Sequence, residues 1–138
     1  MSIAPARMRG LMPEATRPLV GRRILLVEDE YLIVVELERW LSGAGAEVLG
    51  PVSSVEQALE LIENEASGLD GAVLDINLGG GDTVYPVADR LNELDVPYLF
   101  ATGDLRICGH PAHREHPLLA KPISRAELVT AVEKLLES

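Results

Sequence analysis

The feature that most limits how this chain can fold is an alternation between short runs of branched apolar residues and longer stretches with helical spacing. The first run, Ile24 to Val27 in RRILLVEDE, is too short for a helix and suits a buried strand that stops at Glu28 and Asp29. From Glu30 the period changes: Leu32, Val35, Leu37, Trp40 and Leu41 follow a helical stripe, which Gly43 and Gly45 end. AEVLGPVSS reads as a second strand, placed at an edge because Pro51 has no N–H to give a ladder. Helix follows again. Ser53 with Glu56, and Ser54 with Gln57, have capping-box spacing, and Val55, Ala58, Leu59 and Ile62 supply the buried stripe.

A third strand, Ala72 to Leu74, ends in Asp75 and runs into the glycine triplet Gly79 to Gly81. The spacing of Val84, Val87, Ala88 and Leu91 predicts a helix over Val84 to Leu94, and VPYLFA predicts a strand ending at Thr102. A last strand, LLA, ends at Lys121, and Ser124 with Glu127 repeats the capping-box spacing before an amphipathic helix carrying Leu128, Val132, Leu135 and Leu136. Such alternation implies the α/β class: a parallel sheet with helices on both faces and right-handed crossovers. The irregular segment is 103–117, GDLRICGHPAHREHP, where Gly103, Gly109, Pro111 and Pro117 leave room for one short turn of helix. The helix expected between the fourth and fifth strands is therefore short or degenerate.

At 138 residues the chain is sized for one domain. Its apolar runs are far shorter than the roughly 20 residues of a membrane span, so no membrane role is expected. Charge is divided unevenly: through Arg23 five arginines face one acid, whereas the rest carries 7 basic against 21 acidic residues. An acidic domain of this kind argues against nonspecific nucleic-acid binding. Cys108 is the sole cysteine, which suits a reducing, cytoplasmic setting. Residues 1–21, with Arg7, Arg9 and Arg17 and no apolar signal core, read as a flexible tail, leaving 22–138 as the domain. So little chain lies outside the domain that a stand-alone unit is expected.

Chemistry concentrates where the strands end. In open parallel sheets, ligands bind outside the carboxyl ends of the strands. Here those ends carry Glu28 and Asp29, Asp75, Thr102 and Lys121. Polar residues also mark where any buried strand surfaces, and singly each of these is explained that way. Together they are not, because two carboxylates about 4 Å apart repel by about 4 kcal/mol at an effective dielectric near 20. A hard divalent cation such as Mg2+ relieves this, and magnesium sites of one or two carboxylates usually serve phosphate chemistry. Asp75, on the central strand, is the best-placed nucleophile for an acyl phosphate, with the other acids holding the metal. Thr102 would hydrogen-bond one phosphoryl oxygen and Lys121 would neutralise another.

With LLVEDE, VLDINL, FATG and LLAKPIS in this order, the chain from Arg23 to about Glu137 resembles the receiver domains of two-component response regulators. The resemblance implies a flavodoxin-like three-layer sandwich with strand order 2-1-3-4-5. It implies that Asp75 accepts a phosphoryl group from a histidine of a sensor kinase or histidine phosphotransfer protein. Glu28 and Asp29 become the acidic pair, Asn77 offers its backbone carbonyl to magnesium, Thr102 is the switch hydroxyl, and Lys121 pairs with phosphate before a cis Pro122. The domain would then signal through altered protein contacts, with only self-phosphorylation and dephosphorylation chemistry of its own. FATG is similar to the start of the Phe-Ala-Thr-Gly-hydrophobic-Tyr signature of stand-alone receivers, although Asp104 and Leu105 fill its last two places. Leu118 stands where receivers usually carry an aromatic switch residue.

Other readings compete. A haloacid-dehalogenase phosphatase needs a second acid two places after the nucleophile, and here that place is Asn77. A pseudo-receiver would keep the fold as a binding module without phosphorylation, a reading that the full set of site residues opposes. Cys108, His110, His113 and His116 are candidate ligands for a borderline metal, but their spacing better suits a solvated loop. The three glycines 79–81 lack the Gly-Lys-Ser/Thr of a phosphate loop and read as turn residues.

Overall fold

The structure is a computed structural model that describes residues 17–78, 83–103 and 116–137. Residues 1–16, the glycine triplet and the 104–115 segment, with Cys108, His110 and His113, lie outside the described residues. Five strands form one parallel sheet in the order β2-β1-β3-β4-β5: β1 Arg23–Val27, β2 Glu47–Val52, β3 Gly71–Asp75, β4 Tyr98–Thr102 and β5 Leu118–Ala120. Between and after them the described residues form α1 Tyr31–Gly43, α2 Val55–Glu65, α3 Tyr85–Glu93 and α4 Arg125–Glu137. The flavodoxin-like strand order therefore stands as expected.

β1, β3 and β4 are almost wholly buried, which is why their sequences run apolar without alternation. Their side chains divide between two cores. Leu25, Val27, Leu74 and Phe100 meet Ala58 and Ile62 of α2 and Val87 and Leu91 of α3 on one face. Ile24, Leu26, Val73 and Leu99 meet Leu37 and Leu41 of α1 and Leu128 and Val132 of α4 on the other.

Local signals explain where the elements begin. Ser124 and Glu127 form a reciprocal capping box: Glu127 N–H donates to Ser124 Oγ at 3.1 Å and Ser124 N–H to Glu127 Oε1 at 2.9 Å. At α2 the working pair is Ser54 and Gln57, with Gln57 reaching back to Ser53, so the Ser53–Glu56 spacing is not used. β2 lies at the edge, as Pro51 requires, and its pairing with β1 slips at Leu25–Val27. Gly50 makes that irregularity feasible: its φ is +94°, and a Cβ there would stand 2.8 Å from Val52 N.

Two expectations need correction. Leu32 and Val35 do not belong to the buried stripe of α1; they are 78% and 41% exposed, and the stripe is Ile33, Leu37, Trp40 and Leu41. Residues three and four apart share one helix face, and Leu32 and Val35, three apart, share one that is turned from the core. The packed body also begins earlier than Arg22. Leu19, assigned from sequence to the tail, is fully buried in the α1–α4 core, and its N–H donates to Ala44 O at 2.9 Å. Gly45 admits this close approach, since a Cβ there would stand 2.7 Å from Val20 Cα. The Leu19→Ala variant is therefore expected to lose about 2–4 kcal/mol of stability in denaturant unfolding, whereas a tail residue would show almost no loss.

Candidate functional site

The parallel register brings the carboxyl ends of β1, β3, β4 and β5 to one edge of the sheet. Glu28 follows β1, Asp75 ends β3 and Thr102 ends β4; all three are at most 3% exposed. Asp29 and Asn77 are exposed at the rim. One carboxylate oxygen from each of Glu28, Asp29 and Asp75 lies within 4.8 Å of the others. Lys121, just past β5, is held in place by its own backbone, whose N–H donates to Thr102 O at 2.8 Å. The Lys121–Pro122 peptide is cis, as is Gly50–Pro51.

The ammonium of Lys121 faces several acids at once. Nζ lies 2.9 Å from Glu28 Oε1, 3.4 Å from Glu30 Oε1 and 3.5 Å from Asp75 Oδ1. Glu28 Oε2 accepts the Glu30 N–H at 3.2 Å, and Asp75 Oδ1 accepts the Asn77 N–H at 3.3 Å. Glu28 Oε1 is fully buried, and among the described residues its partner is the Lys121 ammonium. An all-oxygen set of three acids, two of them buried beside one ammonium, fits a hard divalent cation.

Electrostatics follow from burial. The Asp75 carboxyl is pushed up to about 8, first by desolvation and then by contact with Glu28 and its charge; the nearby Lys121 and the Asn77 N–H pull the other way without prevailing. Burial alone would lower the Lys121 ammonium, but Glu28, Asp75 and Glu30 outweigh it and hold the group above its ordinary value. Burial, with Glu28 alongside, thus disfavours charge on Asp75, and one lysine offsets part of that.

Aromatic rings cluster on β4 and beside it, not three places before Lys121. Leu118 is half-buried against the α2–α3 core and pairs with Phe100. Phe100 meets Tyr85 edge-on at 6.0 Å and Tyr98 at 5.4 Å, and Tyr98 stacks on His116 at 4.1 Å. Of the sequence candidates for a borderline metal, His116 is the described one, and here it packs as a ring.

Sequence reasoning did not single out Glu30, although its place directly after the acidic pair at a strand end was a usable signal. It also did not foresee a groove of about 370 Å³ between α1 and the loop after β5, lined by Ile33, Leu37, Trp40, Pro122 and Ile123 and reaching Lys121.

No protein-family model matches the chain. The regulator PhyR of Methylorubrum extorquens is 30% identical over 145 residues, covering 99% of this chain and 52% of PhyR. The chain thus spans about half the length of that curated relative. Among solved structures, SdrG from Sphingomonas melonis is 38% identical, with a TM-score of 0.74 over 86% of this chain and 98% of SdrG. SdrG is also known in a BeF3-activated conformation. A response regulator receiver protein from Sinorhizobium medicae is 31% identical, with a TM-score of 0.73 over 86% of this chain and 96% of its own. This chain belongs to the response regulator receiver domains, a family of signalling domains of two-component systems. Among the described residues no helix is long and apolar enough to cross a membrane.

A raised acid pKa makes a signed statement about stability. Asp75 holds a proton in the folded state up to about pH 8 but in the unfolded chain only up to the ordinary aspartate value of 3.8, so its contribution falls as pH rises between those limits. Without divalent ions, Asp75→Asn is expected to be more stable than wild type by roughly 1–4 kcal/mol at pH 9. That gap should shrink toward zero by pH 4 in urea unfolding curves.

Proposed function

We propose that this protein is a phosphoacceptor: Asp75 takes a phosphoryl group from a phosphohistidine donor in a magnesium-dependent reaction, and the phosphorylated domain signals through altered protein contacts. The observation that carries the reading is the convergence of Glu28, Asp29, Asp75 and Lys121 at one edge of the sheet, with a carboxylate oxygen from each acid within 4.8 Å of the others. The BeF3-activated form of SdrG supports it, because beryllofluoride mimics a phosphoryl group and that relative is 38% identical.

Glu28, Asp29 and Asp75, with the backbone carbonyl of Asn77, would hold the Mg2+. Bound there, the cation supplies charge neutralisation for the acids and for the phosphoryl oxygens. An Asp75 carboxylate oxygen attacks phosphorus, the bond from phosphorus to the donor imidazole nitrogen breaks, and the imidazole leaves with the electron pair and is protonated. Asp75 thereby becomes an acyl phosphate. Lys121 pairs with one phosphoryl oxygen and Thr102 donates its hydroxyl to another. The new group adds close to two negative charges, and among the described residues Lys121 is the cation paired with Asp75.

The donor would be a sensor histidine kinase or histidine phosphotransfer protein working in the cytoplasm. The groove beside Lys121, with Trp40 and Ile33 along its α1 wall, offers such a partner an apolar seat next to the reacting carboxylate. Tyr31 and Leu32, 76% and 78% exposed, add apolar surface at the start of the same helix.

Acetyl phosphate with Mg2+ is expected to give wild type an acid-labile label that Asp75→Asn lacks; an unlabelled wild type, or an equal label on the variant, would sink the reading and favour a pseudo-receiver. Leu32→Glu should leave labelling by acetyl phosphate unchanged while slowing transfer from a phosphorylated histidine kinase by about tenfold or more.

A further inference from the structure

Glu30 sits at the mouth of the site in a position that capping does not explain. It is the residue from which α1 starts, with extended φ and ψ of −87° and 113°, yet its side chain makes no capping hydrogen bond. Its backbone N–H is tied to Glu28 Oε2, and its carboxylate turns to Lys121, 3.4 Å from Nζ. The contact joins residues 91 positions apart in the chain.

The three acids around Lys121 are not equivalent. Glu28 and Asp75 are buried and belong to the group whose oxygens lie within 4.8 Å of one another; Glu30 is outside that group, with its side chain 62% exposed. A divalent cation and an ammonium drawing on the same carboxylates repel each other by about 8 kcal/mol at 4 Å and an effective dielectric near 20. Arrival of a cation at Glu28, Asp29 and Asp75 must therefore weaken the grip of the first and last on Lys121. Among the described acids paired with Lys121, Glu30 remains to hold the ammonium beside the reacting carboxylate.

We propose that Glu30 is a positioning residue for Lys121: it retains the ammonium at the mouth of the site when the other acids are committed to a divalent cation, and so sets cation affinity through the lysine. The proposal rests on the metal reading of the same site. A plain field effect of one more exposed carboxylate would act whether or not the lysine is present, and this difference separates the two.

A double-mutant cycle on the full chain, with Mg2+ alone as the probe and calorimetry as the readout, makes the test. Glu30→Gln is expected to raise the Mg2+ dissociation constant about fivefold in the wild-type background and less than about twofold in Lys121→Met. Lys121→Ala provides a second background should Lys121→Met fold poorly by circular dichroism. Glu30→Asp, which keeps the carboxylate, should bind closer to wild type than to Glu30→Gln. Equal factors in both backgrounds, or no change in wild type, overturn the role of Glu30. A wild-type protein that binds no Mg2+ overturns the metal reading itself, an outcome distinct from a wild type that binds while Glu30→Gln has no effect.

Discussion

Two carboxylates, Glu28 and Asp75, are buried at the ends of adjacent strands, and the architecture around them is organised by what offsets their charge. Burying an unpaired carboxylate costs several kcal/mol even after relaxation. The ammonium of Lys121 lies within ion-pair distance of both. That ammonium is delivered by β5, a strand of three residues that is only partly buried. Its attachment to β4, through Phe100 N–H to Pro117 O and Lys121 N–H to Thr102 O, is therefore an electrostatic requirement of the site as much as a feature of the sheet.

The strand order decides which acids meet. Because β1 lies between β2 and β3, the chain reverses its direction of winding there, and a crevice opens above the carboxyl ends of β1 and β3. Glu28 and Asp75 flank that crevice. The two cores beneath serve it differently: α2 and α3 close one face, while α1 and α4 close the other and leave the groove that reaches Lys121. Desolvation first, and the neighbouring Glu28 second, keep the pKa of Asp75 raised in the folded protein. Positive charge beside these oxygens, as Lys121 supplies, favours the ionised form of Asp75.

Much of this was legible in the sequence because burial leaves a periodic trace. Continuous apolar runs marked β1, β3 and β4, whose strands are covered on both faces, and the capping box at Ser124 and Glu127 marked the start of α4. Where the trace was weak the reading slipped. Leu32 and Val35 looked like core because α1 is apolar on more than one face, and only contact with the sheet shows that Ile33 and Leu37 point inward. Leu19 had no periodic context at all, and its burial depends on a turn packing against the end of α1 past Gly45.

By itself the sequence determined the kinds of groups available and the strand ends that carry them: acids after β1 and β3, a hydroxyl on β4 and an ammonium after β5. Strand termini are set by local pattern, and polar side chains must surface where burial stops. The tertiary structure alone decided distances and exclusions. It set Lys121 nearer to Glu28 than to Asp75, buried Glu28 Oε1 against that ammonium, and turned the exposed Glu30 toward a lysine far along the chain. Such relations arise from register and packing between distant segments, which no local spacing encodes.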